Sequence, residues 1–371
     1  MLRAWRLGAS AVRLAAAAPA GASLSVGGRT CSQRFAVAAR AEACRSWASG
    51  TAPVSAALVK ELRTRTGASM GKCRTALVEE DGDIERAVDW LRKRGIRSME
   101  RRTAESAEGL LAVSLTPTKG AIVELRSETV EVTQSELFQR AALAVAGTAL
   151  AQPSAEVGTL AEAALNTEGH TQVAEKVSSG ASVQVGLLEV SSVLGEKLVL
   201  GQSHCLSGTL VAGYAHPKHA DALTGTGRMA AIVAIRSTPS EPPNGADPLA
   251  AMAAKLARHI VAAQPRFVSI ASVPAEVLTR EQETAREAHL ASMDPKKAAA
   301  LKDEVLAKVL AGKTKKFYQD AVLYCQDLIV PHAGAGQPDP KPVSVEKWLK
   351  AQATELGVDG IEVEDFRLVC L

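Results

Sequence analysis

Four stretches of this chain hold residue types at spacings that could do chemistry. Gly67-Ala-Ser69-Met-Gly71 matches the GxSxG nucleophile elbow letter for letter. That elbow needs a strand ahead of it, so that the turn lifts the serine hydroxyl above a sheet. Here an amphipathic helical pattern precedes it, which makes it a helix-to-helix turn. The same Gly67–Lys72 run hints at a phosphate loop but is one residue short, with Cys73 where a Ser or Thr should hold magnesium. Gly312-Lys313-Thr314 has Ala307 where the leading glycine belongs. His216 and His219 stand three apart and His204 adjoins Cys205, yet nothing completes the three or four convergent ligands of a metal site. No catalytic residue, cofactor or metal is expected, and the protein is not expected to be an enzyme.

The elements around these stretches explain why. Val54–Arg94 patterns as three short helices. Ser55 caps the first, with Leu58, Val59 and Leu62 on one face. Met70, Cys73, Ala76 and Leu77 mark the second. Asp83 caps the third, with Ile84, Ala87, Val88 and Leu91 inward and Gly95 closing it. After a charged connector, Leu110–Leu115 and Ala121–Leu125 flank a Pro-Thr-Lys-Gly turn, the pattern of a hairpin, and a helix follows over Ser135–Leu150. Strands at Lys197–Leu200, Thr209–Tyr214 and Ala230–Ile235, then a helix at Pro248–Ala263, repeat that order. Leu278–Leu310 is charged, Ala-rich and broken at Asp294-Pro295, as a protruding helical hairpin would be. A β-like run over Ala321–Val330, a helix near Val345–Ala353 and a strand at Ile361–Val369 complete the chain.

Composition narrows the class. The 371 residues are 47% hydrophobic but only 3% aromatic, so the cores must be built from Ala, Val, Leu and Ile. No apolar run reaches the roughly 18 residues needed to cross a bilayer. The six scattered cysteines form no disulfide framework, which fits a reducing compartment. Charge is uneven: residues 1–50 carry seven Arg and one acid, Glu42, leaving the remainder at net −3. An Arg-rich, acid-poor leader is the pattern of an organelle transit peptide, here mitochondrial rather than plastid. The acidic remainder and its three tyrosines argue against an RNA-binding module.

Ser55–Leu77, with Leu62-Arg-x-x-Thr-Gly-Ala68, and then Gly82-Asp83-Ile84 closely resemble the opening of the elongation factor Ts family. Ala107-Glu-Gly109, Val123-Glu124, Phe138-Gln139, Gly213-Tyr-Ala-His216, His259-Ile-Val-Ala-Ala263 and Lys315-Lys-Phe-Tyr318 continue the similarity over roughly 54–369. The resemblance implies an α+β fold: a transit peptide at 1–50, a ubiquitin-associated-like (UBA-like) three-helix domain at 54–95, core subdomains at 107–195 and 196–277, a helical hairpin insertion at 278–316, and a return strand with C-terminal module at 317–371. It implies nucleotide exchange on the GTPase elongation factor Tu in organellar translation, with no membrane or nucleic-acid partner. By position, Lys60, Arg63 and Met70 would meet the GTPase domain, and His216 its other domains.

One departure stands out. The family's Thr-Asp-Phe-Val wedge, which pries near the magnesium and phosphate site, is here Thr129-Val130-Glu131-Val132, and Pro217 replaces a second-core glycine. An alternative follows from that loss: a diverged Ts-like protein that binds Tu as a structural partner or chaperone without exchange activity.

Overall fold

In the computed structural model, the described residues are 54–152, 156–216, 222–238, 246–293, 303–329 and 342–371. The Arg-rich leader, Pro217, His219, the Asp294-Pro295 break and Val330 lie outside them.

The three-helix module consists of α1 (Ala56–Thr66), α2 (Met70–Glu79) and α3 (Ile84–Glu100). Ser55 and Asp83 cap α1 and α3 by accepting the backbone N–H of Leu58 and Arg86. Val59, Leu62, Cys73, Ala76, Leu77 and Ala87 form its small buried core. The Gly67–Gly71 elbow is a helix-to-helix turn, with Gly67 in the left-handed conformation that ends α1. Gly95 does not close α3, contrary to expectation; the helix runs on to Glu100. A side-chain carbon at Gly95 would come within 2.5 Å of the Ser192 Cβ. The glycine is therefore a close helix crossing rather than a stop signal.

The larger part is built on two sheets. β1 (Glu108–Leu115) and β2 (Lys119–Ser127) form the expected antiparallel hairpin. It is followed by a short turn of helix, α4 (Val130–Gln134), and then α5 (Glu136–Ala151). Phe138, Ala141, Ala142, Val145, Ala146 and Ala149 of α5 recur at helical spacing and are buried against Leu110, Ala112, Val123 and Leu125. Small α6 (Val157–Glu162) and α7 (Thr171–Ala174) lead into α8 (Val183–Leu194), which shares that core.

β3 (Val199–Ser207) was expected to open the second cycle. It instead pairs antiparallel with β2, giving a first sheet of order β3-β2-β1-β5, where β5 is Thr226–Gly227. Its polar stretch past Leu200 stays extended because it flanks a buried carboxylate: the Gln202 N–H donates to Glu124 Oε2 at 3.1 Å.

The second sheet has order β4-β6-β7, from β4 (Leu210–His216), β6 (Met229–Thr238) and β7 (Gly360–Cys370). Its outer face is covered by α9 (Ala246–Ala263) and α12 (Val345–Leu356). The inner faces of the two sheets meet through Leu111, Val113, Ile122, Val211, Ile232 and Ala234, which makes four layers, helix–sheet–sheet–helix. β1 and β6 are thus buried on both faces, and their sequences read as continuous apolar runs for that reason.

α10 (Ala275–Ala291) and α11 (Asp303–Ala321) pack on each other as the expected hairpin, and α10 has no buried residue. The β-like run expected from Ala321 forms no strand over the described residues 321–329. α11 continues to Ala321, a 3-10 turn spans Leu323–Cys325, and only single bridges pair Val322 with Phe267 and Asp327 with Ser344.

Candidate functional site

The residues expected to contact a partner fall on four elements: α1, α2, β4 and the start of α4. Lys60 and Arg63 are exposed on α1, three apart on its outer face, and neither is ion-paired among the described residues. Arg65 beside them is engaged by Glu61 and Glu85, both at 2.8 Å. Met70 opens α2 just past the Gly67 turn with 47% of its surface exposed.

His216 ends β4 on the second sheet. Its Nδ1 lies 3.1 Å from the Tyr214 hydroxyl, and the Arg258 guanidinium stands 5.7 Å above the Tyr214 ring. The three side chains form a small polar and aromatic patch near one end of that strand.

Thr129–Val132 is not an open loop. Thr129 is the N-cap of α4, and within one turn the chain closes through Thr133 Oγ1 donating to the Val130 carbonyl and Ser135 Oγ to the Val132 carbonyl. Thr133 is buried and Val132 packs against the first core, while Val130 (41% exposed) and Glu131 face outward. The two substituted positions, Val130 and Glu131, are both presented to solvent, as is Thr129.

This turn is held by residues that the sequence did not single out. Glu196 Oε2 accepts the backbone N–H groups of Glu128 (3.2 Å) and Thr129 (3.0 Å), and its Oε1 accepts the Thr129 hydroxyl at 2.6 Å. Arg102, just past α3, makes a two-pronged pair with Glu128, Nε to Oε1 at 2.5 Å and Nη2 to Oε2 at 2.6 Å. The Lys197 N–H donates to Glu128 Oε1 at 3.0 Å. The Arg102 hydrogen bond, followed by the Lys197 amide, pulls the Glu128 carboxyl below the usual carboxylate range despite its burial. Glu128 lies beside the substituted motif, but its partners are 26 and 68 or more residues away in sequence. No local spacing could have revealed them.

The three-helix module is also tied to the main body. Arg92 reaches the buried Glu189 of α8 at 3.3 Å, and Lys176 Nζ donates to the Arg65 carbonyl at 2.8 Å. Glu189 is 2% exposed and also accepts the Ser178 N–H and hydroxyl, so its charge is well satisfied.

Among the described residues, no helix is long and apolar enough to cross a membrane. The family model described as Elongation factor TS matches residues 128–334, which take in the braced turn, β3 to β6 and the helical hairpin but not β1, β2 or β7. A protein named Elongation factor Ts from Rhodospirillum rubrum is 33% identical over 284 residues, covering 75% of this chain and 83% of that protein. One from Rhizobium etli is 32% identical over 283 residues, covering 75% and 82%. One from Maricaulis maris is 32% identical over 312 residues, covering 82% and 88%. With an α+β architecture of two stacked antiparallel sheets and this extent of similarity, the chain belongs to the elongation factor Ts family of translation elongation factors.

Proposed function

We propose that this protein is a guanine-nucleotide exchange factor that binds elongation factor Tu and promotes GDP release in organellar translation. The observation that carries this reading is the extent of the similarity: the family match spans the exposed turn, β3 to β6 and the hairpin, and relatives named Elongation factor Ts cover 75% and 82% of the chain. Such a factor makes and breaks no bonds. It binds the nucleotide-free GTPase more tightly than the nucleotide-bound form, and by linkage the nucleotide then binds the complex more weakly. Lys60, Arg63 and Met70 supply one grip, Tyr214 and His216 another, and the Thr129–Gln134 turn approaches the nucleotide site between them.

The wedge chemistry is altered. Val130 and Glu131 stand outward where the family carries Asp and Phe, so no aromatic ring is available to pry at magnesium. Exchange then proceeds either through charge, Glu131 repelling phosphate or competing for magnesium, or through distortion of the GTPase by the two grips. The same substitution favours the second reading, a Ts-like protein that binds Tu without accelerating exchange. Release of labelled GDP from the Tu of the same organelle separates them. Acceleration that saturates with added factor is the expected result, and tight binding with an unchanged release rate would establish the silent binder. The organellar assignment rests on the Arg-rich, acid-poor leader. N-terminal sequencing of the protein from purified mitochondria tests it: removal of roughly the first 45–53 residues is expected from that pattern, and an intact Met1 would refute it.

A further inference from the structure

We infer that Arg102, Glu128 and Glu196 are positioning residues for exchange: they brace the Thr129–Gln134 turn and tie it to the end of the three-helix module. This rests on the exchange reading above and adds the device by which the turn is aimed.

A five-residue helix has no stability of its own, since nucleation outweighs the one or two hydrogen bonds gained. Its geometry must come from outside. Thr129 occupies the N-cap position, yet its hydroxyl makes no capping bond and goes instead to Glu196 Oε1. The other Glu196 oxygen takes the two backbone N–H groups that lead into the turn. Glu196 therefore holds the entry to the turn at three points from across the sheet edge.

Arg102 links this clamp to the module. It sits two residues beyond the last residue of α3, and its fork grips Glu128, the residue before the N-cap. Its third arm, Nη1, donates to the Gly195 carbonyl at 2.9 Å, at the end of α8. Lys197 closes the ring, donating its N–H to Glu128 and its ammonium to the Arg102 carbonyl at 3.2 Å. The far end of α3 is fixed to the same α8 at the Gly95–Ser192 crossing and the Arg92–Glu189 pair. A contiguous set of hydrogen bonds and packed helices thus joins the module that carries Lys60 and Arg63 to the turn that carries Val130 and Glu131. Such two-pronged charged contacts fix angle as well as distance. Because small misplacements of reacting or prying groups cost large factors in rate, loosening the brace should lower the rate within the complex while leaving affinity nearly intact.

The test uses the full chain with Arg102→Ala, Arg102→Lys, Glu196→Ala and Glu196→Gln, measuring labelled GDP release from the organellar Tu over a range of factor concentrations. Both alanine variants are expected to lower the maximal rate about tenfold, with half-saturating concentration changed by less than about twofold. Glu196→Gln keeps an acceptor oxygen for the two N–H groups and should recover most of the rate. Arg102→Lys keeps the charge but not the fork, and should fall between. Amide hydrogen exchange should quicken at Glu128 and Thr129 while β1 and β2 stay protected. If an alanine variant does not fold, the Lys and Gln variants decide alone, by the same ordering.

Unmodified maximal rates in the alanine variants, a defect confined to half-saturation, or Glu196→Gln no better than Glu196→Ala would each overturn the brace and leave the exchange reading intact. No acceleration by the unmodified chain would overturn both.

Discussion

Replacing Gly95 by alanine tests how the three-helix module is seated. In an open helix interior, Gly→Ala stabilises by up to about 1 kcal/mol. Here the new methyl would lie 2.5 Å from the Ser192 Cβ and 2.9 Å from its Oγ. Carbon atoms settle at about 3.5–4.0 Å, so the α3–α8 crossing must open by roughly 1 Å or more. Overpacking of this kind costs about 1–3 kcal/mol, and opening the crossing also stretches the Arg92–Glu189 contact, now at 3.3 Å. The sign should therefore reverse, giving net destabilisation of about 1–2 kcal/mol. Ser192→Gly supplies the control. Alone it should cost about 0.5 kcal/mol in helix propensity. It leaves the Ser192 Cα as the nearest atom to the new methyl, at 3.8 Å, an ordinary contact. The double variant should then be more stable than the sum of the two single effects by about 1 kcal/mol or more. Urea unfolding followed by circular dichroism measures all four proteins. A Gly95→Ala chain as stable as the unmodified one, or strict additivity with Ser192→Gly, would refute the close-crossing argument.

Three further outcomes are expected. Arg63→Glu should weaken Tu binding by roughly 1–3 kcal/mol, the range for interface anchors, with the thermal midpoint unchanged because Arg63 is exposed and unpaired among the described residues; titration calorimetry and a thermal melt check both halves. Glu131→Ala should leave GDP release within about threefold if the two grips distort the GTPase, and lower it about tenfold with a magnesium-dependent defect if the carboxylate acts directly; Val130→Asp with Glu131→Phe should create activity only in a silent binder. Burial holds the His259 ring below the usual 6.5, and its Nδ1 accepts the Ile329 N–H while Nε2 faces Gln326 Oε1. A depressed histidine pKa makes the unfolded chain the better proton binder, so stability is full above about pH 6.5 and declines as pH falls below it. The thermal midpoint should drop between pH 7.5 and 5.5, and less steeply in His259→Gln.

Much of the local structure was legible in the sequence because it depends on near neighbours. The caps Ser55 and Asp83, the Gly67 turn, the Pro-Thr-Lys-Gly hairpin and the apolar stripes of α5 and α9 each follow from residues within a few positions of one another. The family resemblance was equally legible, since motif spacing is a property of the chain alone. The elbow-like Gly67–Gly71 run could be set aside on the same local grounds.

Tertiary structure decided what depends on residues far apart. Whether β3 joins the first sheet or the second turns on which edge is free beside β2, and the third strand of the second sheet, β7, arrives more than a hundred residues after β6. Gly95 has the composition of a stop signal, and only the approach of Ser192 shows it to be a contact. The Val130-Glu131 turn is short enough to take many shapes, and it holds one because Glu196 and Arg102 reach it from elements distant in sequence. Periodicity and capping are local energies and survive in one dimension. Register, close approach and charge pairing are set by the partner across the gap, and that partner exists only once the chain has folded.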